Sequence, residues 1–314
     1  MKDLLRTQDL SRDDVELLLD TAAQFAENPL RSRTALSNKS VAIYMTKPST
    51  RTRLSSETAV AHLGGTPIFI RGDELQLGRG ETIADTARII SGYCSALIIR
   101  TFAQSDVNEL GANATIPVIN ALTDDDHPTQ LLADWLTIRE NFGKDITGRK
   151  FVYLGDGNNM SHAWLIMGAI MGAHVVAATP TGKWSPNPEV IATAQKIAAQ
   201  SGGKIEVTND PEAASKDASV LYTDVWMSMG DSENDRAEKV LALSPFAVTE
   251  NLIALSNDDS IFMHCLPAHR GEEVAASVID GPRSVIWREA YHRRTTIQSL
   301  LFHLINGDLK GAKH

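Results

Sequence analysis

The sequence predicts an α/β protein of two domains, each with a mainly parallel sheet flanked by helices, and with helices linking the domains. Three observations lead to this fold class. Short apolar runs alternate with helix-length amphipathic segments along the chain, which is typical of parallel sheets covered on both faces. The strand candidates are too many for one compact sheet. A loop-like stretch, residues 141–148, precedes a fresh strand and separates two sets of elements.

Strands are predicted where short apolar runs rich in β-branched residues are followed by polar residues. In chain order the candidates are Val41–Met45, Pro67–Ile70, Ala96–Ile99, Pro117–Asn120, Phe151–Leu154, His174–Ala178, Ile205–Val207, Val220–Thr223, Ile261–His264 and Val285–Trp287.

Helices are predicted where apolar residues recur at helical spacing between capping residues. Ser11–Glu27 begins with Ser11 and Asp14 as a capping-box pair, and Thr52–Leu63 stops at two glycines. The other candidates are Thr82–Ser91, Pro128–Glu140, Asn159–Met171, Pro188–Gln200 and Thr296–Leu304. We therefore place one domain at residues 1–140 and another at 141–290, and we expect the last helix, within 291–314, to pack back on the first domain.

The composition excludes several classes of protein. The formal net charge of −9 argues against nucleic acid as the main partner, so a phosphate site has to be a local basic region. No apolar run reaches membrane-spanning length, and the first residues lack a signal-peptide core. Cys94 and Cys265 are the only cysteines and form no C-x-x-C pair, which argues against disulfides and thiolate zinc sites. We therefore expect a protein of a reducing compartment, the cytoplasm.

Ser49-Thr50-Arg51-Thr52-Arg53 is the most informative stretch of the chain. It follows a predicted strand and opens a helical pattern, so the unpaired N–H groups of a helix start meet hydroxyl and guanidinium donors. This arrangement predicts a phosphate site without a Walker motif. The alternative is a helix cap at Ser49 or Thr50 accompanied by solvated arginines.

Unusual polar residues follow several predicted strands, at the ends where parallel sheets bind ligands. They are Arg100-Thr101 and residues 123–130, 155–159, 223–230 and 264–270. So many coincidences favour a single site over separately satisfied loops.

Two motifs in these segments are easily misread. Gly155-Asp156-Gly157 does not predict a dinucleotide site, because Met160 occupies the third glycine position and no acidic residue ends the next strand. We expect these glycines to allow a tight turn and the close approach of a small ligand. The three aspartates at 124–126 lack the spacing of a calcium loop, and no zinc spacing exists, so we expect a solvated or N-terminal acidic loop and no metal.

His127 and Gln130 share the first turn of a predicted helix, where both side chains can donate to a carbonyl oxygen. The alternative is that His127 caps the helix and Gln130 lies at the surface. Cys265 is either an inert core residue, a substrate contact, or a nucleophile activated by the flanking His264 and His269. His264 is a poor base for Cys265, because adjacent strand residues point to opposite faces.

Four motifs, in this order, resemble the transcarbamoylases from near Leu4 to the final helix. They are Ser49–Arg53, His127–Gln130, Asp224–Gly230 and His264–Arg270. The first two patterns are common to carbamoyltransferases, and the last two are typical of the members that act on ornithine rather than aspartate. The resemblance implies transfer of the carbamoyl group of carbamoyl phosphate to the δ-amine of L-ornithine, which yields citrulline and phosphate in arginine biosynthesis.

The resemblance also implies which residues form the site. The residues that would bind carbamoyl phosphate are Ser49, Thr50, Arg51, Thr52, Gln76, Arg100, His127, Gln130, Cys265, Leu266 and Arg293. Cys265 and Leu266 belong to the second domain, and the others are expected in the first. Ornithine would contact Asn159, Asp224, Ser228 and Met229 of the second domain. Arg100, His127 and Cys265 are the predicted catalytic residues, and Gln76 would come from a neighbouring subunit. Tyr291 and His292 depart from the family's pattern, so Arg294 is the alternative to Arg293.

The family implies a homotrimer or a multiple of trimers with active sites between subunits, small-molecule substrates, and no metal or organic cofactor. Other functions remain open. One is a carbamoyltransferase for putrescine or N-acylornithine, although Asp224 beside Ser228 favours an acceptor with a free α-amino group. A second is a non-catalytic amino-acid or phosphate sensor, and a third is a thiol hydrolase that uses Cys265.

Overall fold

The computed structural model describes residues 1–75, 80–227 and 233–312. The chain divides into two compact units, one containing Met1–Leu136 and Tyr291–His314 and the other Thr137–Ala290. It passes from one unit to the other within helix Pro128–Phe142 (α5) and again within helix Ile286–Asn306 (α12). The prediction of two sheet domains linked by helices is confirmed.

The first unit contains a parallel sheet of four strands. In chain order they are Ser40–Met45 (β1), Thr66–Arg71 (β2), Ala96–Arg100 (β3) and Val118–Leu122 (β4), and their order across the sheet is β2-β1-β3-β4. Besides α5 and α12, its α-helices are Arg12–Glu27 (α1), Thr50–His62 (α2), Ile83–Tyr93 (α3) and Gln104–Asn113 (α4). The predicted capping box at Ser11 and Asp14 is present at α1.

The second unit contains a parallel sheet of five strands. They are Lys150–Leu154 (β5), His174–Ala178 (β6), Lys204–Thr208 (β7), Ala218–Thr223 (β8) and Ile261–His264 (β9), in the order β7-β6-β5-β8-β9. Its helices are Asn159–Met171 (α6), Pro188–Ser201 (α7), Pro211–Ser215 (α8), Arg236–Leu243 (α9), Glu250–Leu255 (α10) and Ala276–Ile279 (α11). Short 3-10 helices occur at Thr7–Asp9 in the first unit and at Gly182–Trp184, Glu233–Asp235 and Ser244–Phe246 in the second.

One predicted strand is wrong. Val285–Trp287 is not part of either sheet, because Ile286 already begins α12. A three-residue apolar run cannot distinguish a buried strand from the apolar start of a helix. The prediction also missed α4 and α8 to α11, all of which are ten residues or shorter, too short to show a sustained helical period.

The central strands are buried on both faces, as expected for parallel sheets. Of the edge strands, β2 and β7 are partly exposed, whereas β4 and β9 are almost entirely buried. In both sheets the direction in which strands are added reverses once, between β1 and β3 in the first and between β5 and β8 in the second. Crevices form at the carboxyl ends of strands at such reversal points. The fold therefore offers one ligand crevice in each unit, after β1 and β3 and after β5 and β8.

No helix in the described parts of the chain combines the length and the apolar character needed to cross a membrane.

Candidate active site

The predicted phosphate-binding stretch lies directly after β1. Ser49 is the N-cap of α2, where its hydroxyl accepts a hydrogen bond from the Thr52 N–H (3.2 Å) and donates to the Thr52 hydroxyl (3.1 Å). Arg53 is exposed and its guanidinium lies 3.8 Å from the centre of the Phe69 ring. The alternative of a helix cap with a solvated arginine therefore describes Ser49 and Arg53, while Arg51 is half-buried.

An open cavity of about 760 Å³ adjoins this helix start. Its charged or hydroxyl-bearing lining residues are Thr46, Lys47, Ser49, Thr50, Arg53, Arg71 and Asp73, of which Asp73 pairs with Arg71. Lys47 is buried and pairs with Asp124, and its ammonium lies 4.3 Å from the centre of the Phe102 ring. The cavity thus brings several cationic side chains to the exposed amino end of α2.

His127 is the electrostatic centre of the first unit's site. It is 4% exposed and precedes α5. Burial holds the pKa of His127 well below its usual value, and the positive charges of Arg293, Arg100 and Arg51 lower it further. Three predicted site arginines from separate parts of the chain therefore act on one imidazole. Because that imidazole is neutral, it carries one N–H donor and one acceptor nitrogen.

Arg293, rather than Arg294, reaches this group. Arg293 is 2% exposed, and its guanidinium donates to the Gln130 side-chain oxygen and to the Thr52 hydroxyl (3.3 Å). Gln130 in turn donates to Asp134 (2.8 Å). Arg294 instead donates to the Tyr291 hydroxyl (2.7 Å) and to Gln298 (3.0 Å). The Arg293 side chain thus links α12 to α5 and α2. The sequence alone had left Arg293 and Arg294 as alternatives.

The acidic loop before His127 is only partly as predicted. Asp124 and Asp125 are more than half exposed, but Asp126 is buried just before α5, so the solvated alternative is wrong for it. Its carboxylate accepts hydrogen bonds from the Thr7 N–H (2.6 Å), the Thr7 hydroxyl (2.7 Å) and the His127 N–H (2.8 Å). Asp126 therefore connects the amino-terminal segment to the backbone of the central histidine.

This buried carboxyl makes a pH-dependent contribution to stability. Burial raises the pKa of Asp126 from 3.8 to about 6. The folded state therefore binds this proton more tightly than the unfolded chain does, so the contribution is largest below pH 3.8 and is lost as the pH rises to about 6. In the wild type this loss lowers the free energy of unfolding by about 3 kcal/mol between these pH values, and we expect Asp126→Asn to abolish that pH dependence.

Thermal unfolding of the wild type and the variant at several pH values measures this difference. The substitution also removes a hydrogen bond, which gives an offset that does not depend on pH, so only the slope is diagnostic. Asp125→Asn is the matched control because the adjacent carboxylate is exposed. Parallel pH profiles for the wild type and Asp126→Asn would contradict the prediction.

In the second unit, the predicted ornithine residue Asp224 follows β8 at the reversal point. Its carboxylate accepts hydrogen bonds from the Asn158 side chain (3.0 Å), from the Val225 N–H (2.7 Å) and from the Cys265 thiol (3.0 Å). Asn158 also caps α6, which begins at Asn159. Asp224, Asn159 and Cys265 thus come from the ends of three neighbouring strands, β8, β5 and β9. Sequence reasoning missed Asn158, although a cap at the start of α6 was its visible signal.

The turn after β9 is held by His264. The imidazole Nδ1 accepts a hydrogen bond from the Leu266 N–H (2.8 Å), so Nε2 carries the proton and faces Glu273 at 3.3 Å. Leu266 adopts a left-handed backbone conformation with a φ of 58°. The thiol of Cys265 points to Asp224 instead of to this imidazole. His264 is therefore not placed to be the base of Cys265, as predicted from strand geometry.

The glycine motif after β5 serves a different contact from the one expected. A Cβ atom at Gly157 would lie 2.2 Å from the carbonyl carbon of Ser185 and 2.3 Å from the nitrogen of Pro186. The close approach of the protein's own backbone therefore explains the glycine at position 157. We had predicted the close approach of a ligand instead. Gly155 has a φ of 133°, which fits the predicted tight turn.

Three predicted residues, Gln76, Ser228 and Met229, lie outside the described residues. The structure brings together, within the first unit, the charges of Arg51, Arg100 and Arg293 around His127, with Ser49, Thr52 and Gln130 in hydrogen bonds beside them. The binding and catalytic roles of these residues stay predictions.

Family models match both parts of the chain. Residues 2–140 match the carbamoyl-P binding domain of aspartate/ornithine carbamoyltransferase, and residues 147–304 match the Asp/Orn binding domain. This chain belongs to the aspartate/ornithine carbamoyltransferase family. It is therefore an enzyme, a carbamoyltransferase, and the resemblance read from its motifs is confirmed.

Individual members of this carbamoyltransferase family are similar over nearly the full length of the chain. An ornithine carbamoyltransferase of Anoxybacillus flavithermus is 48% identical over 306 residues, which are 97% of this chain and 96% of the relative. An anabolic ornithine carbamoyltransferase of Pyrococcus furiosus is 46% identical over 311 residues, 98% of each protein.

Solved structures agree with the carbamoyltransferase fold. The ornithine carbamoyltransferase structure from Pyrococcus furiosus has a TM-score of 0.92 at 46% identity and covers 98% of both chains. The ornithine transcarbamoylase structure from Giardia lamblia has a TM-score of 0.90 at 33% identity, covering 98% of this chain and 99% of that one.

Proposed function

We propose that this carbamoyltransferase transfers the carbamoyl group of carbamoyl phosphate to L-ornithine, forming L-citrulline and phosphate in the direction of arginine biosynthesis. The observation that carries the proposal is the convergence of the Arg51, Arg100 and Arg293 charges on the buried, neutral His127. Relatives named ornithine carbamoyltransferase, one of them anabolic, support the acceptor and the direction. Putrescine or N-acylornithine as acceptor is the alternative.

Carbamoyl phosphate carries its negative charge on the phosphate and gains charge on the carbonyl oxygen during attack. Preplaced cationic and neutral donors stabilise both sites without reorganising in the transition state. A neutral His127 can donate to the carbonyl oxygen, and the arginines hold the phosphate, whose charge grows as the carbon–oxygen bond breaks. The free-amine form of the ornithine δ-nitrogen forms the new bond to carbon, and the departing phosphate accepts its proton.

Asp224 is the proposed partner of the ornithine α-ammonium. Its carboxylate accepts hydrogen bonds from Asn158, Val225 and Cys265, which fix its orientation at the end of β8. The Cys265 thiol is itself a hydrogen-bond donor to Asp224, which supports a positioning role for the sulfur over a covalent one. Asn159, Ser228 and Met229 remain predicted ornithine contacts.

A homotrimer with Gln76 lent by a neighbouring subunit, and a cytoplasmic location, belong to the same proposal. The first unit exposes large apolar side chains on α2, β2 and α3, namely Leu54, Ile68, Ile89 and Tyr93. Exposed apolar side chains of this size are the kind of surface that a subunit interface covers.

The proposal is tested by measuring citrulline-type products with ornithine, putrescine and N-acetylornithine in parallel. Ornithine is expected to give the highest kcat/KM, because only it presents both a free α-ammonium and a δ-amine. Asp224→Asn is expected to raise the KM for ornithine about 10- to 100-fold and to leave the KM for carbamoyl phosphate unchanged, since a charge-assisted hydrogen bond is lost.

Asp259→Asn, an exposed carboxylate of the same unit paired with Arg149, is the matched control. A preference for putrescine would overturn the proposed acceptor. Turnover that proceeds through an acyl group trapped on Cys265 would instead support a thiol hydrolase.

A further inference from the structure

The turn that follows β9 gathers three side chains able to bind a metal. The Glu272 N–H donates to the His269 carbonyl (2.9 Å), and Gly271 between them has a φ of 89°, a conformation that favours glycine. As a result one donor atom each of His269, Glu272 and Glu273 lies within 4.8 Å of the others.

Glu273 is the unusual member of this group, because its side chain is fully buried. Its Oε1 accepts hydrogen bonds from His264 Nε2 and from the His269 N–H. Its Oε2 accepts no hydrogen bond from any described residue and lies 3.7 Å from His269 Nδ1. A buried carboxylate oxygen without a donor is costly, so this atom needs a positive partner.

The charges around the turn leave a place for a cation. His264 accepts a hydrogen bond at Nδ1 and holds its single proton towards Glu273, so it brings no positive charge. Arg236 contributes one positive charge through its 2.9 Å contact with Glu272. The carboxylates of Glu272 and Glu273 and the guanidinium of Arg236 therefore sum to one negative charge beside His269, which is half-exposed.

We propose that His269 Nδ1, Glu272 and Glu273 Oε2 bind a divalent transition-metal cation such as Zn²⁺. One imidazole and two carboxylates are a common ligand set for such ions, with water completing the coordination. Bonds of about 2.1 Å at tetrahedral angles separate donor atoms by about 3.4 Å. The observed 3.7 Å between Nδ1 and Oε2 requires only a small side-chain movement. The inference does not depend on the proposed carbamoyl transfer, whose predicted residues are not ligands of this site.

The test is calorimetric titration of Zn²⁺ into untagged full-length protein that has been dialysed against a chelator. We expect one equivalent to bind per chain, and His269→Ala and Glu272→Gln each to weaken the affinity at least about tenfold. Both side chains are partly exposed, so neither substitution is expected to unfold the protein. Co²⁺ in place of Zn²⁺ should give visible absorption bands that His269→Ala abolishes.

Two variants distinguish the proposal from other sites. His174→Ala removes a second surface histidine–carboxylate pair, with Glu206, and is expected to leave the affinity unchanged. Cys265→Ser is also expected to leave it unchanged. Zn²⁺ binding that survives His269→Ala, or that is lost with Cys265→Ser, would overturn the proposal, as would the absence of binding to the wild type.

Discussion

Arg293→Ala is expected to lower kcat/KM for carbamoyl phosphate by about 10²–10³-fold, the usual effect of removing one preplaced donor to a developing charge. The reason lies in the position of the guanidinium, which is buried, bonded to Gln130 and Thr52, and close enough to His127 to lower its pKa. Steady-state kinetics with varied carbamoyl phosphate measure the effect. Arg293→Lys should retain part of the activity, because lysine keeps the charge and loses the planar fork.

The neighbouring arginine provides the matched control. Arg294 lies on the same helix but contacts Tyr291 and Gln298, so Arg294→Ala is expected to change kcat/KM by less than about threefold. An equal loss in both variants would show that the helix, rather than the Arg293 guanidinium, is what the activity requires.

His127→Leu is expected to lower kcat by about 10²–10³-fold, because it removes the proposed donor to the carbonyl oxygen. His127→Gln keeps a neutral N–H donor and should retain more activity. The comparison separates donation from proton transfer: a neutral donor can be replaced by an amide, whereas an acid or base cannot. If the Gln and Leu variants are equally inactive, a simple hydrogen-bond donor does not explain this residue.

The protonation state of His127 has its own signature in stability. Burial and the three arginines hold the pKa of His127 well below 6.5, its value in the unfolded chain. Unfolding therefore takes up a proton at acidic pH, so this residue contributes stability above pH 6.5 that is lost as the pH falls. Thermal unfolding of His127→Gln should show a shallower loss between neutral and acidic pH than the wild type. An unchanged slope would mean that the imidazole is protonated in the folded state.

The fold was largely predictable because strand and helix periods are local properties of the sequence. The capping pair at Ser11 and the full extent of α6 could be read from neighbouring residues. Val285–Trp287 was misassigned because three apolar residues have no period, and the long helix that contains them was recognised only from Thr296 onward. Short helices such as α8 are fixed by packing against the sheet rather than by their own pattern.

The candidate site was predictable where its residues form contiguous motifs and not where they depend on distant partners. Ser49, Arg51 and His127 belong to such motifs. The burial of Asp126 depends on Thr7, more than a hundred residues away, and no local pattern announces that contact. The choice between Arg293 and Arg294 is likewise decided by which side of α12 faces Gln130, a matter of tertiary packing.

Residues from both ends of the chain act on His127: Thr7, near the start, through its hydrogen bonds to Asp126, and Arg293, near the end, through its charge. Translation delivers residues in order, so the nascent polypeptide acquires its last guanidinium only when synthesis is nearly complete. A chain that ends before α12 would keep Arg51, Arg100 and His127 but lack Arg293, one of the three charges that lower the pKa of that histidine. The full set of charges around His127 is therefore present only in a chain that has been translated through α12.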